Sequence, residues 1–228
     1  MIKGIALAVK KPGMDDGAFH RYWKEVHGPI ALGISALRRY VQSHRLPTPL
    51  PGFENVPYDG VAELWYDRLE DLTGMPQNPE YVNGAQADEP NFIDTSKLAF
   101  IATREYVLIE EQPVTRDTQW VKAVFLLKRR PDLSVSQFQE YWLNGHAPQI
   151  PRDMGVLGYV QCHTLPETYA GGAPAYDGMA ELSFADMKAF MDYWTSPRIQ
   201  QIFGDDAPRF LGAGCTAFLA EEYRVRWP

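Results

Sequence analysis

The chain has only two cysteines, Cys162 and Cys215, and they stand far apart in its 228 residues. No CxxC pair or metal-like spacing exists, which excludes a disulfide framework and a cysteine-built metal centre and predicts a reduced, cytoplasmic setting. Basic clusters are scarce as well. Lys128-Arg129-Arg130 is the one short run, and 22 Lys plus Arg against 29 Asp plus Glu leave a net charge of −7. A nucleic-acid surface needs clustered cations that displace counterions from phosphates, so no nucleic-acid partner is expected. Long hydrophobic runs are missing too. The opening apolar stretch ends at Lys10-Lys11, too short for a signal segment or a bilayer span, and reads as a buried strand. No membrane partner is expected. Gly171-Gly172 lies before a strand rather than after one, so no phosphate-cradling loop exists, and GxSxG and a Cys/His nucleophile pair are also absent. No local His/Glu spacing marks a metal site.

The chain does have aromatics, at 13%, in an otherwise ordinary globular composition of 45% apolar and 22% charged residues. It also repeats itself. Phe19-His-Arg-Tyr22-Trp23-Lys-Glu-Val-His27-Gly-Pro29 matches Phe138-Gln-Glu-Tyr141-Trp142-Leu-Asn-Gly-His146-Ala-Pro148 at an offset of 119. The same offset carries Lys3 to Lys122 and Tyr40-Val-Gln-Ser-His44 to Tyr159-Val-Gln-Cys-His163. With one residue less, Tyr58-Asp-Gly-Val-Ala-Glu63 falls on Tyr176-Asp-Gly-Met-Ala-Glu181, and Asp88-Glu-Pro90-Asn-Phe92 on Asp206-Ala-Pro208-Arg-Phe210. Two homologous domains, 1–112 and 118–228, are therefore expected, joined by a polar stretch around Glu110–Thr118.

Within each repeat the element types are legible. Residues 3–10 read as a strand, and Asp15 and Ser134 as N-caps, Ser134 forming a capping box with Gln137. Phe19, Tyr22, Trp23 and Val26 then mark one helix face, and Gly28-Pro29 predicts that the helix stops at His27. Residues 39–45, 60–66 and 98–109 read as strands, with helical pieces broken at Gly74 and Pro76 between the last two. The order strand–helix–strand–strand–helix–strand is the ferredoxin-like βαββαβ arrangement. Its sheet has one bare face. Two such sheets can cover each other sheet to sheet, so the expected architecture is an intrachain α+β barrel.

Strand alternation divides residues into two sets. Val41, Ser43, Ala62 and Leu64 are predicted to face the helices, and Tyr40, Gln42, His44, Glu63 and Trp65 to face a cavity between the sheets. Four of the five histidines recur as equivalent pairs, His27 with His146 and His44 with His163. His20, alone, reads as a solvated surface residue. For His27 and His146 two roles are open: a helix C-cap meeting the dipole, or a group at the cavity mouth. His44 and His163 are either satisfied core residues or pocket-wall groups. Trp23 and Trp142 fall on the core stripe and can wall an apolar ligand.

The string Phe-x-x-Tyr-Trp-x-x-x-His followed by Pro, then a Tyr thirteen residues after the His, resembles the EthD family of the dimeric α+β-barrel superfamily, and does so twice. The resemblance implies cofactor-independent proteins, some similar to muconolactone isomerases and others to fungal dehydratases or decarboxylases of aromatic polyketide pathways. It also implies roles for His27 and Tyr40, and for His146 and Tyr159.

The resulting expectation is an acid–base enzyme of lyase, dehydratase or isomerase type acting on a small hydrophobic lactone, ketone or phenolic. His44 or His163 is the expected base, Tyr40 or Tyr159 the oxyanion donor, Glu63 or Glu181 the group orienting the imidazole, and His27 or His146 an auxiliary acid. Gln42, Gln161, Trp65, Arg39, Trp23 and Trp142 are the expected substrate contacts. No cofactor or metal is expected, and the protein is expected to be a monomer or homodimer. Trp65 and Arg39 give way to Ser183 and Gly158, which predicts a roomier, less cationic second pocket. The alternatives are a non-catalytic binder serving an oxygenase pathway and a haem-binding barrel with one histidine as axial ligand.

Overall fold

A computed structural model describes residues 1–228. The first repeat contributes β1 (Ile2–Ala8), β2 (Arg39–Arg45), β3 (Gly60–Tyr66) and β4 (Ala99–Glu110), and the second β5 (Val121–Leu127), β6 (Gly158–Thr164), β7 (Gly178–Phe184) and β8 (Thr216–Arg226). They form one closed antiparallel barrel in the order β1-β3-β2-β8-β5-β7-β6-β4. Each repeat supplies a four-stranded ferredoxin-like sheet, and two seams close the barrel, β2 on β8 and β4 on β6. β4 and β8 make both seams. The early residues of β4, Ala99–Thr103, pair with β1, whereas Thr103–Glu110 pair with β6.

The helices lie outside the barrel. They are α1 (Asp16–Tyr22), α2 (Gly28–Ala31), α3 (Leu69–Thr73) and α4 (Gln86–Asp88), then α5 (Val135–Glu140), α6 (Met187–Trp194) and α7 (Pro197–Phe210). Asp15 caps α1 through Ala18 N–H, and the Ser134–Gln137 capping box forms on α5. His27 does not end its helix as expected. A π turn, Trp23–His27, lets Gly28 N–H reach Trp23 O, and Pro29, which has no donor to lose, starts the next helical turn, which runs to Ala31. Gly60 and Gly178 let the helices seat against the sheet. A Cβ on Gly60 would lie 2.6 Å from the Trp23 ring, and one on Gly178 2.5 Å from Trp142.

The register also corrects the expected facing of β2. Val41 stands opposite Glu63, and Tyr40 opposite Leu64, so each pair shares one face of the sheet. Tyr40, Gln42 and His44 therefore face the helix layer, with Ala62 and Leu64, while Val41, Ser43, Glu63 and Trp65 face the barrel interior. Both faces of β2 are buried, so polarity alone does not tell them apart.

The interior holds Ile5, Leu7, Val124, Leu126, Met179 and Phe218, and beside them a buried ion network. Lys3 Nζ lies 2.7 Å from Glu63 and also meets Glu181, and Lys122 Nζ lies 2.8 Å from Glu63, 2.9 Å from Glu181 and 2.6 Å from Glu222. Each lysine thus bridges the glutamates of both repeats. Removing one partner from such a buried set costs about 3–5 kcal/mol, because a charge is left uncompensated.

Candidate functional site

Between the outer face of the first-repeat sheet and its helices lies a cavity of about 240 Å³. Its walls are mostly apolar, with Trp23, Ala31, Ala62, Leu64, Leu72 and Met75 among them. Five polar side chains reach it: His27, Tyr40, Tyr66, Tyr81 and Glu89. The π turn and α2 bring in His27, β2 and β3 bring in Tyr40 and Tyr66, and the segment around α4 brings in Tyr81 and Glu89.

His27 Nδ1 lies 2.9 Å from Asp88 Oδ2. An ionised carboxylate can only accept, so Nδ1 carries the proton and donates it, leaving Nε2 as the unpartnered ring nitrogen with a free lone pair. Tyr22 O–H (2.7 Å) and Asn91 Nδ2–H (3.0 Å) donate to the other Asp88 oxygen. Burial raises the Asp88 pKa, but the hydrogen bonds from Asn91, Tyr22 and His27 outweigh it and hold the carboxyl below its usual range. Burial lowers the His27 pKa against the pull of Asp88, so the ring is neutral at pH 7. That is the state a general base requires.

Tyr40 is held from behind. Trp23 Nε1–H (3.1 Å) and Gln42 Nε2–H (3.0 Å) both donate to its hydroxyl oxygen, which leaves the Tyr40 proton to be donated into the cavity. Burial pushes its pKa up to about 12, so it stays a neutral donor. Gln42 Nε2 also donates to Trp23 O at 2.9 Å, and its Oε1 lies 3.0 Å from His44 Nε2. The His44 ring stacks on Trp23 at 4.6 Å and 7°. His44 thus positions Gln42, which positions Tyr40. Burial lowers the His44 pKa to about 2, and its buried Nδ1 has no partner. Neither His44 nor Gln42 lines the cavity, and His20 is half-buried with its ring 4.8 Å from His44, rather than solvated as expected.

The second repeat has the same frame with less space. His146 Nδ1 lies 2.7 Å from Asp206, Gln161 donates to Tyr159 Oη at 2.6 Å, and His163 Nε2 lies 2.9 Å from Gln161 Oε1. The His163 ring stacks on Trp142 at 4.4 Å, and burial lowers its pKa to about 4. The cavity lined by Trp142, His146 and Tyr159 measures about 130 Å³. The expectation of a roomier second pocket is overturned, because Trp65, Ser183, Arg39 and Gly158 line the barrel mouth instead of either sheet–helix cavity. Glu63 and Glu181 do not orient His44 or His163, since the lysines of the ion network hold them. The sequence pattern does not mark Glu89, Tyr66 or Tyr81 as site residues. The recurring Asp-x-Pro-x-Phe already pointed to Asp88, but not to its partner 61 residues away.

Fold and site together define a fused α+β-barrel protein with a sheet–helix cavity in each repeat. The EthD domain family model matches residues 11–96 and 130–214, and the chain belongs to that family. It is 28% identical over 102 residues to the conidial pigment biosynthesis dehydratase EthD of Metarhizium robertsii, spanning 40% of this chain and 72% of that one. Among solved structures it shares its fold with an anthrone oxidase-like protein (TM-score 0.69, 8% identity, 98% of this chain and 93% of the other). A candidate monooxygenase of Fusobacterium nucleatum is similar over 98% of this chain and 92% of its own (TM-score 0.61, 10% identity). No helix is long and apolar enough to cross a membrane.

Proposed function

We propose that the chain is a cofactor-independent lyase of dehydratase type that works in the first-repeat cavity on a small, apolar ketone, lactone or phenolic carrying several oxygens. The observation that carries this reading is the convergence, in one largely apolar cavity, of an Asp-held neutral imidazole, a hydroxyl whose proton has no protein acceptor, and a carboxyl with a raised pKa. His27 Nε2 takes a proton from the carbon beside the carbonyl. Tyr40 O–H donates to the oxyanion that develops there. Glu89, whose pKa burial raises despite the Tyr81 O–H donated to it at 2.8 Å, supplies a proton to the departing hydroxyl. The dehydratase name of the relative agrees with water loss.

The role of base moves from His44 to His27, because His27 has a free nitrogen at the cavity and His44 is committed to Gln42. A cavity of about 240 Å³ lies below the roughly 300–1,000 Å³ of drug-sized ligand pockets, which favours a substrate of one or two rings and speaks against a haem. The test is deuterium exchange in D₂O. Hydroxylated aromatic ketones and lactones are incubated with the protein, and label at the carbon beside the carbonyl and loss of water are followed by mass spectrometry. Label uptake that depends on His27 supports the reading. Tight binding with neither exchange nor water loss would assign the chain to the non-catalytic binders.

A further inference from the structure

We propose that the mouth of the barrel is a second ligand site, taking a small organic carboxylate with a ring-sized apolar body. The mouth holds a cavity of about 120 Å³, separate from both sheet–helix cavities. There the repeat symmetry is broken residue by residue. Arg39 and Arg224, neighbours across the β2–β8 seam, have Gly158 and Val107 as their counterparts, and Trp65 and Trp227 have Ser183 and Glu110. One wall therefore carries two guanidiniums and two indoles, while on the facing wall Gly158 and Ser183 leave the space beside them to the Trp120 ring.

The cationic wall is built and rigid. The guanidiniums of Arg39 (4.9 Å) and Arg224 (5.5 Å) both stand over the Trp227 ring, which meets Trp65 edge-on at 6.2 Å and donates its indole N–H to Val114 O at 3.0 Å. The Arg224 side chain is 2% exposed and is held by Glu222 and Thr118 O, yet its Nε has no partner. Deeper in, Lys3 and Lys122 are fully paired by the more numerous Glu63, Glu105, Glu181 and Glu222, so any attraction for an anion has to come from Arg39 at the mouth. Arg39 is the lining cation left without any acid. Its planar fork matches a carboxylate.

The size and remaining walls select the body. An apolar cavity of about 150 Å³ holds a benzene ring, and this one, open at the mouth, is close to that. Val107, 55% exposed, Val160, Ile109 and Trp120 offer the apolar contact. Glu110 on the rim disfavours a dianion, and the apolar contacts favour an aromatic monocarboxylate over inorganic phosphate, which has no apolar body.

The experiment titrates the full chain with benzoate and, separately, inorganic phosphate, reading tryptophan fluorescence and calorimetric heat. Saturable benzoate binding is expected, with phosphate failing to compete. Arg39→Gln should weaken it at least about tenfold, the size of a lost charged hydrogen bond. Ser183→Trp, which refills the mouth with the first-repeat side chain, should abolish it, and circular dichroism and Tm confirm that both variants fold. Ala6→Phe, which fills the first sheet–helix cavity, should leave it unchanged. Absence of saturable binding, indifference to Arg39→Gln and Ser183→Trp, or loss in Ala6→Phe alone would each overturn the site. None of these outcomes depends on the chemistry proposed for His27.

Discussion

Ala6, Ala8 and Ala85 border the first-repeat cavity, and the second repeat places Phe125, Leu127 and Phe203 at the same positions. The polar ring changes with them. Tyr66, Tyr81 and Glu89 become Phe184, Ile199 and Ala207, while the His–Asp pair, the Tyr–Gln–His relay and the stacked Trp survive in both. The surviving parts tie helices to sheet: Asp206 joins α7 to the turn that carries His146 and Tyr141, as Asp88 does for His27 and Tyr22. The duplicated His–Asp pair therefore has an architectural role in both repeats, and its presence alone does not mark a working site. What distinguishes a working site is the space and the extra acid and hydroxyl groups around it.

The largest test of that distinction is His27→Ala against His146→Ala. The first should lower turnover by about 10²–10⁴-fold, the usual contribution of a positioned base, and the second should leave turnover nearly intact in the same water-loss assay. Equal losses would mean two working sites. Tyr40→Phe comes next, at about 10²–10³-fold in kcat, the range for one oxyanion donor, with Tyr159→Phe nearly silent. Ala6→Phe should close the first cavity, detected as loss of ligand-induced thermal stabilisation. The reverse change, Phe125→Ala, should open the second at about 3–5 kcal/mol of stability by denaturant titration.

The smallest effect is in pH. Burial lowers the pKa of His27, His44, His146 and His163 below the ordinary 6.5. The unfolded chain therefore takes up protons first. Their contribution to stability is full above about pH 6.5 and is lost as pH falls, with His163 protonating near 4 and His44 near 2. Turnover should share the acid limb, with an apparent pKa below 6.5 that belongs to His27. Replacing His44 should relieve more acid sensitivity than replacing His163, seen in Tm against pH.

Most of the fold was legible because the repeat was. The 119-residue offset set the element order twice over, and a bare sheet face in each half required a barrel. The facing of β2 was not legible, since a strand buried on both sides gives an alternation without saying which set points inward. Lys3 and Lys122, set in apolar strands, were the available clue that glutamates would be drawn inside. His27, Tyr40 and Trp23 were reachable from local spacing. Glu89 was not, because its partner in the repeat is Ala207, and reading only the identities hid the difference that matters.

The β2–β8 seam joins Tyr40 to Arg226, positions 186 apart in the chain. Pairing at such separation closes a very long loop and forms slowly. During synthesis the first sheet is complete long before β8 leaves the ribosome, so its inner face, with Lys3 and Glu63, stays open to water until the last strand arrives. On a nascent chain those charges suit an exposed surface better than an apolar face would, and they keep it from premature association. The charges that pair with one another inside the finished barrel are thus the ones that suit water while the barrel is still a half-shell.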